Sequence, residues 1–364
     1  MTPRTHPRLL LPVLFIGIFM IILDVFIVMV AAPSLRSDLG ASETEVQWVV
    51  AAYLVAYAMT LITAGRLGDI VGRRRMLRCG FALFTLASGL CALAPSPTAL
   101  IAARVVQGLG SAAMWPQVLS IVQVEYTPEE RPRAFALQGL VQGLAAVTGQ
   151  IVGGALISLN LLGLGWRWVF LVNLPVGLAA LVLAGRVVPE SRSPESHRLD
   201  LAGVGVATAA LALLLLPIVQ GHELGWPWWT FALIAASAPV TLLFVGWERR
   251  VERRGGSPLV HLALFAQRGF RVGIVAAVVQ FTVPSFFLFL GIYLQQGAGL
   301  TPIEAGLVFT PLAVAFVAGS MLGPRVGAAA LDHLPAIGAA IASAGLVTTA
   351  AALLAAGDHF VAAL

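Results

Sequence analysis

The amino-acid sequence predicts an all-α membrane protein, and three observations carry that prediction. Of the 364 residues, 59% are hydrophobic and 11% are charged, where a soluble domain carries about 25% charged residues. Apolar stretches near 20 residues or longer recur along the whole length, each able to cross about 30 Å of hydrocarbon as a helix. The arginines lie almost entirely in the short segments between those stretches, concentrated in every second one.

Eleven spans are expected, near 9–33, 46–64, 77–95, 98–122, 134–158, 168–187, 201–220, 228–247, 271–294, 303–322 and 335–356. The first is too long for a signal-peptide core and contains Asp24, so it is read as a retained helix. With the N-terminus on the cytoplasmic side, 19 arginines fall inside and two, Arg36 and Arg167, fall outside, while Arg104 sits within a span. That bias sets the orientation and supports the count, because a missed span would invert everything after it. The localisation expected is a multi-pass protein of the cell membrane with a cytoplasmic N-terminus.

Several function classes are excluded or left without support. The net charge of +5 reports membrane orientation rather than a nucleic-acid surface, so no nucleic-acid partner is expected. Every basic residue of the Lys+Arg set is Arg, and a P-loop needs a Lys on the phosphates. Cys79 and Cys91 share one apolar segment at a spacing that fits neither zinc nor a redox pair, so they read as small packing residues. The histidines show no metal spacing. No cofactor and no metal are expected, and no catalytic residue is assigned.

Five stretches carry chemistry. The first is Gly65-Arg66-Leu67-Gly68-Asp69-Ile70-Val71-Gly72-Arg73-Arg74-Arg75. Its glycines permit a tight cytoplasmic turn and close helix approach, and Asp69 is placed to pair with Arg73 or to cap a helix. An ordinary positive-inside loop would explain the arginines but not the spaced glycines around one acid. The second is Arg104, about six residues or about 9 Å inside its span; a guanidinium there needs a cavity or a partner, the alternative being that it snorkels outward. The third is Asp24, about nine residues from the end of span one. Burial favours its neutral form and a nearby cation its charged form, which makes it a candidate proton carrier. A structural hydrogen bond to a neighbouring helix is the competing reading. The fourth is span five, with Gly139-x-x-x-Gly143 and Gly149-Gln150-Ile151-Val152-Gly153-Gly154, where small residues let backbones approach. The fifth, Trp166 through Gly177, reads as an interfacial aromatic belt with an Arg anchor.

Together these stretches resemble the major facilitator superfamily, and within it the fourteen-helix drug:proton antiporters of the multidrug exporter type. The Asp69 stretch is similar to the family's signature loop at every key position. In that family the loop stabilises the outward-facing state, so Gly65, Gly68, Asp69, Gly72, Arg73 and Arg74 are implied as a conformational switch. Leu100-x-x-x-Arg104-x-x-Gln107-Gly108-x-Gly110 is similar to the fourth-helix motif, whose Arg is associated with proton coupling. Leu23 to Pro33 looks like the first-helix motif, with Phe26 and Met29 where Thr and Asn are usual. Gly149, Gln150, Gly153 and Gly154 are similar to the antiporter motif, with Gln150 standing where Pro is typical. Trp166 to Gly177 closely resembles the same position in the exporters.

The resemblance implies a division into 1–190, a six-helix bundle; 191–256, two linking helices; and 257–364, a partial bundle of three helices, the family's last three being absent. It implies a secondary active transporter, not an enzyme, that exports drug-like or natural-product small molecules in exchange for protons, as in multidrug efflux and antibiotic resistance. Asp24 and Arg104 would couple protons. Phe26, Trp115, Gln142 and Phe281 are candidate linings of a substrate cavity, with packing as the competing role. The partners are a lipophilic small molecule, protons and the bilayer. The alternatives are an importer or facilitator of a small organic solute, and a truncated, non-transporting fragment.

Overall fold

The computed structural model describes residues 9–193, 199–221, 224–322 and 334–356, and these contain helices and no strand. The helices are α1 (Leu10–Leu39), α2 (Glu43–Val71), α3 (Arg73–Ala92), α4 (Pro97–Glu125), α5 (Arg131–Leu159), α6 (Trp168–Leu171), α7 (Asn173–Val187), α8 (Leu201–Gly221), α9 (Trp228–Arg253), α10 (Arg268–Ile292), α11 (Pro302–Val308), α12 (Thr310–Leu322) and α13 (Leu334–Ala356). Among the described residues, eight helical stretches are long and apolar enough to cross a membrane, with α6 and α7 acting as one. The helices α10 to α13 occupy the places expected for spans nine to eleven.

The ends of the helices follow local chemistry. Gly40, at φ 60°, closes α1 and returns its N–H to the Arg36 carbonyl, the left-handed cap that glycine permits. Ser42 and Glu45 form a reciprocal capping box at the head of α2. Ser96 caps α4, with Pro97 in the first turn, where its missing N–H costs nothing. These short connections force neighbouring helices to run antiparallel.

One expectation is corrected. Residues 65–75 do not form a loop: α2 continues to Val71, and the reversal into α3 is made by Gly72 alone, at φ 125°. The reason is packing. A side chain at Gly65 would meet Pro116 Cβ of α4 at 3.3 Å, and one at Gly68 would overlap the Gln117 amide. These two glycines therefore serve helix contact within a continuing helix, not the turn.

The core is organised around α1, whose most apolar stretch is 72% buried. Leu14, Ile18 and Ile21 pack with Phe81 and Phe84 of α3, Met114 and Val118 of α4 and Ala180 and Ala184 of α7. Further along, Ile27, Val28 and Ala31 pack with Ala103, Ala145, Val169 and Phe170. By contrast, α8 and α9 are buried over only 17% and 11% of their apolar stretches. Their main partner is each other, with α8 also touching α2. Exposed apolar faces of this kind suit lipid, where a helix satisfies its own backbone.

Candidate functional site

The centre of the site is built where α1, α2, α3, α4 and α7 converge. Asp24 projects from α1 and Arg104 from α4, and both are completely buried. Arg104 Nη1 donates to Asp24 Oδ2 in a close ion pair. The same Nη1 donates to Gln107 Oε1 at 2.7 Å, and Nε donates to the Val49 carbonyl of α2 at 2.8 Å. The guanidinium carbon sits 4.2 Å from the centre of the Tyr53 ring, within cation–π range. Its Nη2 is buried without a hydrogen-bond partner.

Asp24 Oδ1 is occupied as well. Gln107 Nε2 donates to it at 2.8 Å and Asn173 Nδ2 of α7 at 3.3 Å. The Gln107 amide also reaches Ser88 Oγ of α3 at 2.9 Å. Tyr53 OH and Ser111 Oγ lie 2.7 Å apart on the flank. Three donors thus point at the two oxygens of one acid, which is what a carboxylate, an acceptor-only group, requires when it is removed from water. Gln107 is one turn from Arg104 on the same face of α4, so the i, i+3 spacing places both groups at Asp24.

Sequence reasoning identified Asp24 and Arg104 and quoted Gln107 within a motif, but gave no role to Gln107, Asn173, Tyr53, Ser88 or Ser111. The signal that could have found Asn173 is a lone amide inside an otherwise apolar span.

The antiporter-like stretch of α5 packs against α1 beside this network. A Cβ on Gly149 would lie 3.0 Å from the Leu23 carbonyl and from Phe26 Cβ, and one on Gly153 would lie 2.9 Å from Ile27 Cγ1. The small residues therefore set the α1–α5 distance directly next to Asp24. Gly154 is buried, as is Gln150 at 4% exposure, and the Gln150 carbonyl faces Gly306 of α11.

Of the candidate cavity residues, Phe26 is buried in that α1–α5 contact. Trp115 is half-buried and edge-on to Tyr57, and Gln142 is half-buried on α5. Phe281 belongs to α10, and its side chain falls outside the described residues.

A second cluster surrounds Gly72. Arg73 donates through Nε and Nη2 to Asp69 Oδ1, at 3.1 and 2.6 Å. The segment that follows α7 docks across this turn: Ser193 N–H donates to the Asp69 carbonyl and Arg73 N–H to the Ser191 carbonyl, both at 3.0 Å. Glu190 Oε1 accepts the Arg74 N–H at 3.1 Å, and Glu190 Oε2 lies 3.7 Å from Arg74 Nε and 3.6 Å from Arg75 Nε. Three arginines at the head of α3 oppose the positive end of its dipole, and a carboxylate on a first-turn N–H offsets that. Glu190 was not anticipated.

At the opposite ends of these helices, Asp38 accepts from Trp166 Nε1 at 2.8 Å and from Arg167 Nη1 at 2.6 Å. The belt residues are thereby tied to the end of α1.

Comparison with known proteins agrees with this architecture. The sequence pattern of the Major Facilitator Superfamily matches residues 14–364. The chain is 43% identical over 316 residues to a probable actinorhodin transporter of Streptomyces coelicolor, covering 85% of this chain and 55% of that protein. It is 37% identical over 338 residues to the cephamycin export protein CmcT of Amycolatopsis lactamdurans, covering 90% and 67%. To the tetracenomycin C resistance and export protein of Streptomyces glaucescens it is 33% identical over 319 residues, covering 87% and 58%. The chain thus spans between 52% and 67% of the first few curated relatives it matches. Among solved structures, the proton:xylose symporter XylE superposes with a TM-score of 0.59 at 15% identity, over 86% of this chain and 67% of that one. The peptide transporter POT in complex with sulfate superposes with a TM-score of 0.51 at 20% identity, over 92% and 70%. A shared multi-pass helical bundle, the glycine-spaced stretch around Asp69 and a match across nearly the whole length point the same way: the chain belongs to the Major Facilitator Superfamily.

Proposed function

We propose that this chain exports lipophilic natural-product or drug-like small molecules across the cell membrane in exchange for protons, with its N-terminus in the cytoplasm. The observation that carries the reading is the completely buried Asp24, held by Arg104, Gln107 and Asn173 from two other helices. Relatives named for handling actinorhodin, cephamycin and tetracenomycin C support the substrate class. In this reading residues 1–190 act as one six-helix unit, 191–256 as two linking helices and 257–364 as part of the opposing unit.

Asp24 is the proton carrier. When it takes a proton it no longer attracts Arg104 and one of its oxygens becomes a donor, so at least one of its three donors must turn away. That loosens α1 from α4 and α7 on the side where the network sits. Substrate and proton must favour opposite conformations for exchange to follow. Asp69 with Arg73, and Glu190 with Arg74, hold the closed arrangement of the turn. The small residues of α5, Gly149, Gly153 and Gly154, let α1 shift without losing contact, while Trp115 and Gln142 line the path of the substrate.

Everted vesicles carrying the full chain, acidified inside, test the coupling. Adding tetracenomycin C or puromycin is expected to release lumenal protons, and Asp24→Asn is expected to bind the probe without proton release. Uptake of a probe with no proton movement would make the chain a facilitator. Orientation is tested with single cysteines at Glu129 and Leu162 in a background carrying Cys79→Ser and Cys91→Ser. Labelling of both from the same face overturns the assigned topology.

A further inference from the structure

A second buried acid lies far from Asp24, where α8 begins and α9 ends. Asp200 caps α8: its Oδ1 accepts the Gly203 N–H at 2.9 Å, and its Oδ2 accepts Trp247 Nε1–H of α9 at 2.7 Å. Beside it, Glu248 of α9 is 0% exposed. Its Oε2 accepts the Val260 N–H at 2.9 Å and the neighbouring Leu259 N–H also bears on the carboxylate, while its Oε1 is buried with no hydrogen-bond partner.

The two acids face a common space. A Cβ added to Gly203 would lie 2.6 Å from Asp200 Oδ2 and 2.9 Å from Glu248 Oε1. The orphan oxygen of Glu248 and the Trp247-bound oxygen of Asp200 therefore crowd the same face of one glycine. Among the described residues, neither acid has an arginine within ion-pairing distance. The groups whose charge bears on Glu248 are Asp200 from the head of α8 and His261 from the segment beyond α9. Arg249, Arg250 and Glu252 on α9 are exposed.

Two carboxylates so placed, one without access to water, cannot both stay ionised at low energetic cost. Both unmet demands are removed by one proton, which turns the orphan oxygen into a donor and cancels one charge. No set of three metal-ligating side chains is present among the described residues, so the chemistry fits a proton rather than a divalent cation.

We propose that Asp200 and Glu248 form a proton-binding site, holding a single shared proton between Asp200 Oδ2 and Glu248 Oε1. The shared proton clips the head of α8 to the tail of α9. Through Val260 it also holds the segment that leads towards α10. It is separate from the Asp24 site and does not depend on the export reading. Loss of the proton leaves two facing carboxylates, so the clip opens at high pH and closes at low pH.

The test is pH-difference infrared spectroscopy on the purified full chain between about pH 5 and pH 9, a range that brackets raised carboxyl titrations. A protonated-carboxyl C=O band is expected that disappears as pH rises. It should be lost in Glu248→Gln, shifted in Asp200→Asn and retained in Asp24→Asn. Trp247 donates to the shared oxygen, so its emission, isolated by subtracting a Trp247→Phe spectrum, should follow the same titration. This second readout needs neither acid replaced and stands if those variants fail to fold. Absence of the band, or a band that ignores both substitutions, overturns the site. A Trp247 signal that follows Na+ or K+ instead of pH also overturns it and assigns the space to a monovalent cation. Retention of the band in Asp24→Asn keeps either outcome separate from proton-coupled export.

Discussion

Two arginine–carboxylate clusters in this molecule use the same chemistry under opposite conditions. Asp24 and Arg104 are both 0% exposed, whereas Asp69 and Arg73 keep 26% and 11% of their side-chain surface in contact with solvent. In the first, every oxygen of the acid is matched by a donor from another helix. In the second, Asp69 and Arg73 are only a turn apart, and the rest of the cluster is tied by backbone bonds to the segment after α7. A buried pair cannot fall back on water if a partner is lost, so it behaves as a unit that is either closed or broken. A half-exposed pair exchanges partners with water at small cost and can adjust by degrees. The first arrangement suits an all-or-none chemical event, the second a bias on an equilibrium.

The sharpest way to break that comparison is Arg104→Ala. It leaves Asp24 buried without its cation, and removing one partner of a buried pair costs about 3–5 kcal/mol. Thermal or denaturant unfolding in detergent should report that loss, and a change under about 1 kcal/mol, the worth of a surface pair, would erase the distinction between the clusters. Gln107→Leu comes next. It removes one of the two donors to Asp24 Oδ1 and the link to Ser88, with an expected loss of about 1–3 kcal/mol. If Asn173→Leu proves the costlier of the two, α7 rather than α4 anchors the acid.

Asp69→Asn should change stability by less than about 1 kcal/mol, because the pair it breaks is partly solvated. Export normalised to expression should nevertheless fall. Wild-type export would return the cluster to a mere consequence of the positive-inside charge bias. Glu190→Gln is the mildest change, and its effect on the same assay should shrink as salt rises, since Arg74 and Arg75 face it across 3.6–3.7 Å near solvent. An effect independent of salt would place Glu190 with the buried class.

Much of the fold was legible because the bilayer is a demanding solvent. Only long apolar helices satisfy their backbones there, so the spans and the alternation of arginines could be read directly. The boundaries were less legible. Residues past Ala64 looked like a loop because they carry Gly, Arg and Asp, yet α2 runs on to Val71 against α4. Composition reports where a membrane ends, not where a helix ends.

The site divides along the same line. Asp24 and Arg104 stood out because an ionised group inside an apolar run has few explanations. That they meet is invisible along the chain, where they are 80 residues apart. Asn173 lies 149 residues from Asp24, and Glu190 lies 116 from Arg74. A surface acid such as Glu190 looks like any other until a docked segment carries it to the head of α3. Likewise Glu248 reads as one more charge in a run of charges, and only packing shows that its Oε1 is orphaned.

The sequence by itself determined the class of molecule, the order of its apolar helices and the few charges that had to be explained, because transfer into hydrocarbon penalises each polar residue one at a time. Tertiary structure alone decided which helices those charges join, that Gly72 makes the turn by itself, and which carboxylates are matched by donors and which face one another. Hydrogen bonds and ion pairs act over a few ångströms in space, and a distance of that size between helices leaves no regular trace in the spacing of residues along the chain.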